Sequence, residues 1–413
     1  MITRSIRNRS NWITNFSYAA PLRFSPLYYT LFTLYNIFNA LKGTGFTDLP
    51  QFHIDLLYLL IRILIFVCMI IHFLTLRLKL SAYILCIFVL SCVTAATLVS
   101  GSWNMLLLLL FLLGGREARV SVMARCIIWS DLAVIAVTAF CYSRGIISSD
   151  VYMSGIGTVR NTLGFSHPNT LGMYILTICC AYAVLRFRKC KWYDFLLFIF
   201  AFYYCYYLIY SRTSAIAVAL IIALALITTI DRRGKLDALL LFLGLITLVA
   251  LCISSIWLMV YYDPSVSWMS KLNEFMSGRL DLAHYYYETY SVHLFGYDFS
   301  SMQEAYKDIY TNFICDNAYA HVILQYGVIV FALVMFGYVY ILLQSLIKVQ
   351  LNPLVFGLII FSVVAFSESG GLFICNNFCL IALSAPLLGL RNNQALRALP
   401  FLVCKGRAPS FVV

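Results

Sequence analysis

Long uninterrupted runs of apolar residues recur along this chain, and they restrict its fold more than any other feature. The stretches 80–99, 213–230 and 236–261 each contain at most one charged residue. Such lengths match the roughly 20 apolar residues that an α-helix needs to cross a bilayer. Only 11% of the 413 residues are charged, whereas soluble domains carry about 25%. The sequence therefore predicts an all-α polytopic membrane protein, with residues 1–413 forming a single integral membrane domain.

The apolar runs predict twelve membrane-spanning helices. We place them at 27–42, 53–75, 80–99, 102–115, 124–142, 169–186, 192–210, 213–230, 236–261, 318–347, 353–367 and 372–390. The fourth and eleventh of these segments are short. The N-terminal residues are basic and polar and show no cleavable signal peptide, so we expect the first spanning helix to direct insertion.

Lysine and arginine residues indicate the orientation of these spans. With twelve spans, most of the 29 basic residues fall in loops on a single side of the membrane. Cytoplasmic loops are enriched in Lys and Arg, so both termini are expected in the cytoplasm. One span more or fewer in the middle of the chain would scatter the basic clusters over both faces.

Two longer segments lie on the outer side in this topology, at 143–168 and 262–317. The second is the only sizeable soluble segment, and its amphipathic pattern predicts short helices at 267–277 and 279–291. Arg62 lies inside the second span. The other basic residues that break the charge rule are Lys42, Arg144, Arg160, Arg212, Lys271, Arg279 and Lys307, all on or near the outer face.

Several classes of function are disfavoured by the sequence. The net charge of +12 is dispersed in clusters between apolar runs, which is typical of cytoplasmic loops and not of a nucleic-acid interface. No phosphate-binding loop, dinucleotide fingerprint or metalloprotease motif is present. The 14 cysteines show no paired spacing typical of metal sites, and we expect neither a metal nor a cofactor. A pore would need a polar stripe along several spans, and most spans are apolar all round.

The segment Arg160–Gly172, RNTLGFSHPNTLG, connects an outer loop to the sixth span. Pro168 suits the first turn of a helix, with Ser166 or His167 as its cap. The N–H groups of that turn and Arg160 would both favour an anion. The alternative is an ordinary helix start with a solvated arginine.

A second candidate is Arg212, in the tight outer turn Tyr210–Ser214 between spans seven and eight. It is the only charged residue between Asp194 and Asp231. At the edge of the hydrocarbon, such a charge needs an anionic partner or water. The alternative is an arginine that extends to lipid head groups.

The large outer loop combines an arginine with tyrosines. In a helix over 279–291, Arg279, Tyr286 and Tyr290 would share one face. A guanidinium beside aromatic rings suits a ligand that contains both phosphate and sugar, because arginine binds oxyanions bidentately and rings stack on sugar faces. The alternative is an interfacial amphipathic helix whose tyrosines lie among lipid head groups.

Candidate acids and bases occur at two further outer positions. Asp316 and His321 lie at the start of the tenth span, and Glu368 lies in the turn between the last two spans. Alternatively, Asp316 caps the helix and His321 packs as a polar residue. An intramembrane carboxylate often pairs with an arginine, and Arg62 is the matching intramembrane cation for Glu368.

These motifs, in their order along the chain, resemble the O-antigen ligase/polymerase superfamily, and most of all its Wzy-type polysaccharide polymerases. The order is Gly–Phe–x–His–Pro–Asn–x–x–Gly after Arg160, a Ser–Arg–Thr turn, Gly–Arg in the large loop, Leu–Phe–Gly–Tyr, Asp–Asn–x–Tyr, and Leu–x–Tyr–Gly–Val–Ile. The resemblance covers about residues 155–390 and extends to the number of spans and the placement of the loops.

The resemblance implies a metal-independent glycosyltransferase of the bacterial inner membrane. Its substrates would be undecaprenyl-diphosphate-linked oligosaccharide repeat units, and a chain-length regulator protein would be a partner. The growing glycan would pass from its lipid diphosphate to the non-reducing end of a new unit. Arg160, Arg212 and Arg279 would bind the diphosphate. The further candidate substrate contacts are His167, Asn169, Tyr286, Asn317 and Tyr319.

The catalytic base stays open between Asp316, His321 and Glu368, with the first two ranked ahead. Ligases of the superfamily carry a functional histidine near the start of the span after the large loop, whereas His321 is displaced one helical turn inward. This departure favours a polymerase. The alternatives are a ligase that moves finished polysaccharide to another acceptor, and a flippase or transporter of lipid-linked sugar without chemistry. A flippase would place cations at several depths, which this sequence does not show apart from Arg62.

Overall fold

The computed structural model describes residues 24–148, 152–153, 159–160, 162–300 and 315–389. Within these ranges the chain is built almost entirely from helices, as the apolar runs predict. The α-helices are α1 (Phe24–Leu41), α2 (Ile54–Thr75), α3 (Leu80–Ser100), α4 (Asn104–Leu113), α5 (Val120–Ser143), α6 (Pro168–Leu185), α7 (Trp192–Tyr203), α8 (Arg212–Ile230), α9 (Asp237–Tyr261), α10 (Ser267–Phe275), α11 (Arg279–Tyr290), α12 (Ala318–Gln325), α13 (Gly327–Ile347), α14 (Pro353–Val364) and α15 (Ser384–Leu387). The 3₁₀-helices are Gly45–Asp48, Pro50–Phe52, Gly115–Glu117, Ser369–Leu372 and Phe378–Leu383.

Among the described residues, 7 helical segments are long and apolar enough to cross a membrane, as expected for a polytopic membrane protein. They are Pro50–Thr75, Leu80–Ser100, Val120–Ser143, Pro168–Leu185, Arg212–Ile230, Asp237–Tyr261 and Gly327–Ile347. The shorter apolar helices are Asn104–Leu113, Trp192–Leu208, Pro353–Val364 and Phe378–Leu387. Each predicted span coincides with helical residues, although three of them are not one continuous α-helix.

The seventh, tenth and twelfth predicted spans depart from a regular α-helix. The seventh ends in a π-helical turn, Tyr204–Leu208. The tenth consists of α12 and α13, which are separated at Tyr326 because Gly327 adopts a φ of 84°. The twelfth consists of the 3₁₀-helix Phe378–Leu383 and the single turn of α15. Apolar composition predicts burial of these residues but contains no information about the breaks.

The break between α12 and α13 is bound by a segment of the large outer loop. The N–H of Tyr297 donates a hydrogen bond to the Gln325 carbonyl oxygen at 3.2 Å. A Cβ on Gly296 would lie 2.0 Å from that oxygen, and a Cβ on Gly327 would lie 2.3 Å from the Leu294 carbonyl oxygen. Two glycines from distant motifs therefore cross in direct backbone contact, which only residues without a side chain permit.

Two short apolar helices lie at the centre of the bundle. Helix α4 has 10 residues and α14 has 12, which at 1.5 Å per residue gives lengths of about 15 and 18 Å. Every residue from Met105 to Leu113 is buried, and so are nearly all residues of α14. A helix that is apolar on every side belongs inside a protein. The longer helices α2, α3 and α9 instead expose many large apolar side chains.

The two short helices predicted in the large outer loop correspond to α10 and α11. They pack on the end of α9 through an apolar cluster that consists of Leu258, Tyr262, Met269, Met276 and Leu280. Between them, Ser277 and Gly278 both have positive φ and form a tight turn. The Oδ1 of Asn273 accepts a hydrogen bond from the N–H of Leu280 at 3.0 Å and caps α11. Arg279 is thereby fixed as the first residue of α11.

The predicted outer loop 143–168 contains a short antiparallel β-ladder. It pairs β1 (Tyr152–Met153) with β2 (Val159–Arg160). Further along, the N–H of Gly45 donates a hydrogen bond to the Gly164 carbonyl oxygen at 2.9 Å. This contact holds the end of the loop against the turn that follows α1.

The glycine crossing provides a test of the fold. We expect Gly327→Ala to lower the free energy of unfolding by about 1 kcal/mol more than Gly145→Ala does. Both glycines have positive φ, so both variants strain the backbone. A Cβ on Gly145 meets nothing within 4 Å, so the difference between the two variants reports the steric clash at Gly327. Denaturant titration in detergent measures both variants. Equal losses would contradict the proposed tightness of the crossing.

Candidate functional site

Most of the predicted site residues lie at one end of the bundle, where α6, α8 and α11 begin. The charge rule predicts that this end faces away from the cytoplasm, and we therefore call it the outer end. Helix α6 starts at Pro168 after its N-cap His167, whose Nδ1 accepts a hydrogen bond from the Asn169 N–H at 3.1 Å. Helix α8 starts at Arg212 and α11 at Arg279. Three sequence motifs therefore present polar side chains at neighbouring helix starts.

Gly172 brings the first two of these motifs together. A Cβ on Gly172 would lie 2.5 Å from the Ser211 Oγ and 2.7 Å from the Ser214 Oγ. The two serines are fully buried, and their hydroxyls are hydrogen-bonded at 3.0 Å. The starts of α6 and α8 consequently pack closely, and this fixes Arg212 relative to the start of α6.

Arg279 forms ion pairs with two carboxylates. Its Nε donates to the Asp316 Oδ2 at 3.0 Å, and its Nη2 donates to the Glu368 Oε1 at 3.0 Å. The side chains of Arg279 and Glu368 are each 9% exposed, and that of Asp316 is 31% exposed. A buried guanidinium requires such partners, because an unpaired buried charge is costly. One cation therefore faces two acids.

Glu368 connects this ion-pair network to the start of α8. The Thr213 Oγ1 donates a hydrogen bond to the Glu368 Oε1 at 2.6 Å, the same oxygen that accepts from Arg279. The turn that holds Glu368 is tight, since a Cβ on Gly371 would lie 2.8 Å from the Ala365 Cα. Helices α8 and α11, the segment before α12 and the turn after α14 therefore meet around one carboxylate.

Asp316 is positioned by the capped start of α12. Asn317 is the N-cap residue, and its Oδ1 accepts hydrogen bonds from the N–H groups of Tyr319 at 3.0 Å and Ala320 at 3.2 Å. The alternative that Asp316 caps this helix is therefore wrong. Its carboxylate faces Arg279 instead.

The environment of the network changes its acid–base properties. Desolvation raises the pKa of Asp316 to about 7, the Arg279 guanidinium opposes this increase, and Glu368 adds to it. For Arg279, burial disfavours the charged form, but Glu368 and Asp316 outweigh this effect and raise its pKa above the ordinary value. Arg279 is therefore always charged, whereas Asp316 can exchange a proton near neutral pH. A carboxyl group with such a pKa is suited to general base catalysis.

A cavity of about 640 Å³ opens beside the network. This volume lies in the range of ligand-binding pockets, which is about 300–1,000 Å³. Its polar lining in the described part of the chain includes His167, Asn169, Arg212, Thr213, Ser277, Arg279 and Asp316. Its aromatic and aliphatic lining includes Tyr206, Tyr210, Ile216, Leu272, Phe275, Val363 and Phe366. The cavity therefore suits a ligand that has charged, polar and apolar parts.

Arg212 and Arg279 line the same cavity in different electrostatic states. Arg212 is exposed, and no described carboxylate lies within ion-pair distance of it. Arg279 is engaged by two acids. An anion in the cavity would therefore gain most from Arg212.

The structure brings together several predicted site residues and separates others. Those that line the cavity are His167, Asn169, Arg212, Arg279 and Asp316. Glu368 contacts the lining residues Thr213 and Arg279. The backbone of Arg160 lies in β2, and its side chain lies outside what the structure describes.

The structure places Tyr286, Asn317 and Tyr319 outside the described lining of the cavity. Each is at most 2% exposed. The Tyr286 and Phe299 ring centroids lie 4.7 Å apart, and the Tyr319 hydroxyl donates to the Ser362 carbonyl oxygen at 2.8 Å. These side chains pack and cap within the bundle. The helical pattern predicts which residues share one face of a helix, but it does not predict whether that face lines a cavity or packs in the core.

His321 and Arg62 also differ from their predicted surroundings. The His321 ring lies 5.7 Å from the Phe373 ring and is not among the described residues that line the cavity. Glu368 pairs with Arg279 and not with Arg62, whose guanidinium lies over the Tyr58 ring at 4.5 Å. The aromatic contact explains how a cation is accommodated within a span.

Sequence reasoning missed Thr213, Tyr206 and Tyr210 as site residues. Thr213 is part of the Ser–Arg–Thr turn, but nothing in the sequence indicates its partner Glu368, which lies 155 residues away. Tyr206 and Tyr210 belong to a tyrosine-rich run that is also typical of a membrane interface. Their position in the cavity depends on local backbone geometry.

Within the described ranges, no group of three or more His, Cys, Asp or Glu side chains is arranged to hold a metal ion.

Comparison of the chain with protein-family models, with curated proteins and with solved structures gives no match. The geometry of the cavity and its network is therefore the evidence from which a function is argued.

The ion-pair network provides a second test. We expect Arg279→Ala to lower the free energy of unfolding by about 3 kcal/mol, because it leaves two neighbouring carboxylates without their cation. Adding Glu368→Gln should restore part of this loss by removing one of the two negative charges. Denaturant titration in detergent measures both, with the exposed Lys271→Ala as the matched control. The coupling between Arg279 and Glu368 would be contradicted if the double variant lost at least as much free energy of unfolding as the two single variants together.

Proposed function

We propose that this protein is a polymerase of surface polysaccharide. It transfers a growing glycan from undecaprenyl diphosphate to the non-reducing end of a lipid-linked repeat unit. The observation that supports this proposal best is the single cavity that joins Arg212, Arg279 and Asp316. It combines a site for an anion, a candidate base and an apolar wall. Those are the requirements of a reaction on a lipid diphosphate sugar.

The proposal includes a topology of twelve crossings with both termini in the cytoplasm of a bacterium. Helical residues at every predicted span support it. The basic clusters after α6 and α8 support the orientation, because Lys and Arg are enriched in cytoplasmic loops. Arg186 and Arg188, which pair with Asp194 and Asp237, lie at the end of the bundle opposite to His167 and Arg212. The cavity then opens on the outer side of the inner membrane, where flipped repeat units are found.

In this mechanism the acceptor hydroxyl attacks the anomeric carbon of the donor glycan. The bond between that carbon and the diphosphate oxygen breaks, and undecaprenyl diphosphate leaves with the electron pair. Arg212 binds the diphosphate and stabilises the charge that develops on it. Asp316 accepts the proton of the acceptor hydroxyl. Each bond that forms is matched by one that breaks, and no other reactant is required.

Arg279 and Glu368 position the reacting groups in this proposal. Arg279 holds the Asp316 carboxylate at 3.0 Å, on the edge of the cavity. Glu368 holds Arg279 and Thr213 at once and so keeps α8 and α11 in register. Asp316 lines the cavity, whereas Glu368 is not among the described lining residues, so we assign the base role to Asp316.

The diphosphate role of Arg212 predicts that Arg212→Ala reduces polymer formation by about a hundredfold or more, because one preorganised cation is lost from the transition state. Arg212→Lys should restore it only in part, since bidentate geometry is lost. Gel analysis of surface polysaccharide, with membrane insertion checked by immunoblot, measures the effect. The control is Arg144→Ala, which removes another arginine predicted on the outer face but outside the cavity lining. Unchanged chain length and amount in Arg212→Ala would rule out the proposed role.

The base role of Asp316 predicts a dependence on pH. The base must be deprotonated, so the rate should increase as the pH rises through about 7, where burial raises the pKa of Asp316, and then level off. Arg279 and Glu368 are the charged groups that face it. Asp316→Asn should abolish turnover, while Asp281→Asn, an exposed acid on α11, should not. A flat pH profile together with an active Asp316→Asn variant would exclude Asp316 as the base.

A reconstituted reaction with a synthetic lipid-diphosphate repeat unit tests the activity itself. A polymerase gives a ladder of products from this single substrate. A ligase needs a second acceptor, and a flippase gives no new glycosidic bond. In cells, loss of a polymerase leaves single repeat units on the surface, loss of a ligase leaves long chains on the carrier, and loss of a flippase traps single units inside.

A further inference from the structure

The connection between α7 and α8 has an irregular backbone next to the cavity. Residues 204–208 form a π-helical turn, and the Ser211 N–H then donates to the Cys205 carbonyl oxygen at 2.9 Å. Tyr210 adopts a φ of 58°, although it has a large side chain. A left-handed conformation of such a residue costs energy and persists where the surrounding structure requires it. Isolated π-helical turns are also frequent at functional sites.

This geometry directs two of the tyrosines into the cavity. Tyr206 and Tyr210 line it, whereas the neighbouring Tyr203 and Tyr207 are not among its described lining residues. Tyr206 remains 46% exposed, so its ring is accessible to a ligand. Arg212 follows two residues after Tyr210 and lines the same cavity. The strained turn therefore places two aromatic rings in the same cavity as the exposed Arg212.

The remaining lining indicates the chemistry of the group that these rings contact. Phe275 and Phe366 add aromatic surface, and His167 and Asn169 add hydrogen-bonding groups. Aromatic rings combined with hydrogen-bonding side chains are suited to a sugar, which has an apolar ring face and a polar edge. An isoprenoid chain alone would not use the polar groups.

We infer that Tyr206 and Tyr210 form an aromatic platform that binds the sugar attached to the diphosphate held by Arg212. This inference rests on the proposed function for the identity of the diphosphate. It assigns to the tyrosine pair the recognition of the first sugar of the lipid-linked glycan, a role separate from the binding of the lipid carrier.

The test compares two probes on the purified full-length protein in detergent: farnesyl diphosphate, and farnesyl diphosphate that carries N-acetylglucosamine. Calorimetric titration gives the Kd of each. The wild-type protein should bind the glycosylated probe more tightly. Tyr206→Leu should weaken that probe by about tenfold, because an aliphatic side chain cannot stack on a sugar as a ring does. The same variant should leave the Kd of farnesyl diphosphate within about twofold.

Matched variants define the controls. Tyr206→Phe keeps the ring and should retain wild-type affinity, which also shows that the site tolerates substitution. Tyr203→Ala removes an exposed tyrosine of α7 outside the cavity lining and should leave both Kd values unchanged. Arg212→Ala should weaken both probes, because both contain the diphosphate.

Three results would overturn the inference. They are an equal loss for both probes in Tyr206→Leu, no loss for either probe, or a wild-type protein without preference for the glycosylated probe. Binding does not require turnover, so the outcome is independent of polymerisation. Failure of the reconstituted reaction with intact probe discrimination contradicts the proposed function alone. Polymerisation without discrimination contradicts the aromatic platform alone.

Discussion

The ion-pair network around Arg279 is the interaction on which the outer end of the bundle depends. A guanidinium at 9% exposure cannot remain without partners, and its two partners come from segments 37 and 89 residues away. Because Glu368 also accepts a hydrogen bond from Thr213, the same contacts set the distance between α8 and α11. The network also holds Asp316 at the edge of the cavity that Arg212 lines from the start of α8.

The sequence predicted the helices of this protein well because their cause is local. An apolar run of sufficient length has few alternatives to a helix in a membrane, so α2, α3 and α9 lie where their runs predict. The break at Tyr326 has a different cause. It depends on Gly296, which approaches from another part of the chain, and a single glycine such as Gly327 inside an apolar run does not by itself predict a break. Tertiary contacts of this kind leave no periodic pattern in a single sequence.

The same distinction applies to the site. Arg212, Arg279 and Asp316 could be identified from sequence, since a charge beside a hydrophobic run is conspicuous and requires an explanation. Their partners could not, and Glu368 was matched with Arg62 because both are intramembrane charges. Tyr286 illustrates the limit of helical periodicity, because the face it shares with Arg279 packs against Phe299. Tyr206 and Tyr210 depend on an extra residue in one helical turn, which propensities do not encode.

The crossing of Gly296 and Gly327 also has a consequence for how such a chain can diverge. Only a hydrogen atom fits on the Cα of Gly296 or Gly327, so both glycines must be kept together. A substitution at one of them cannot be compensated by a change at the other. The stretch between this crossing and Asp316 is anchored at both ends, by Gly296 at one and by Asn317 at the other. Insertions and deletions there would leave both anchors in place. Chain length can therefore vary between Gly296 and Asn317 without loss of the contacts at either anchor.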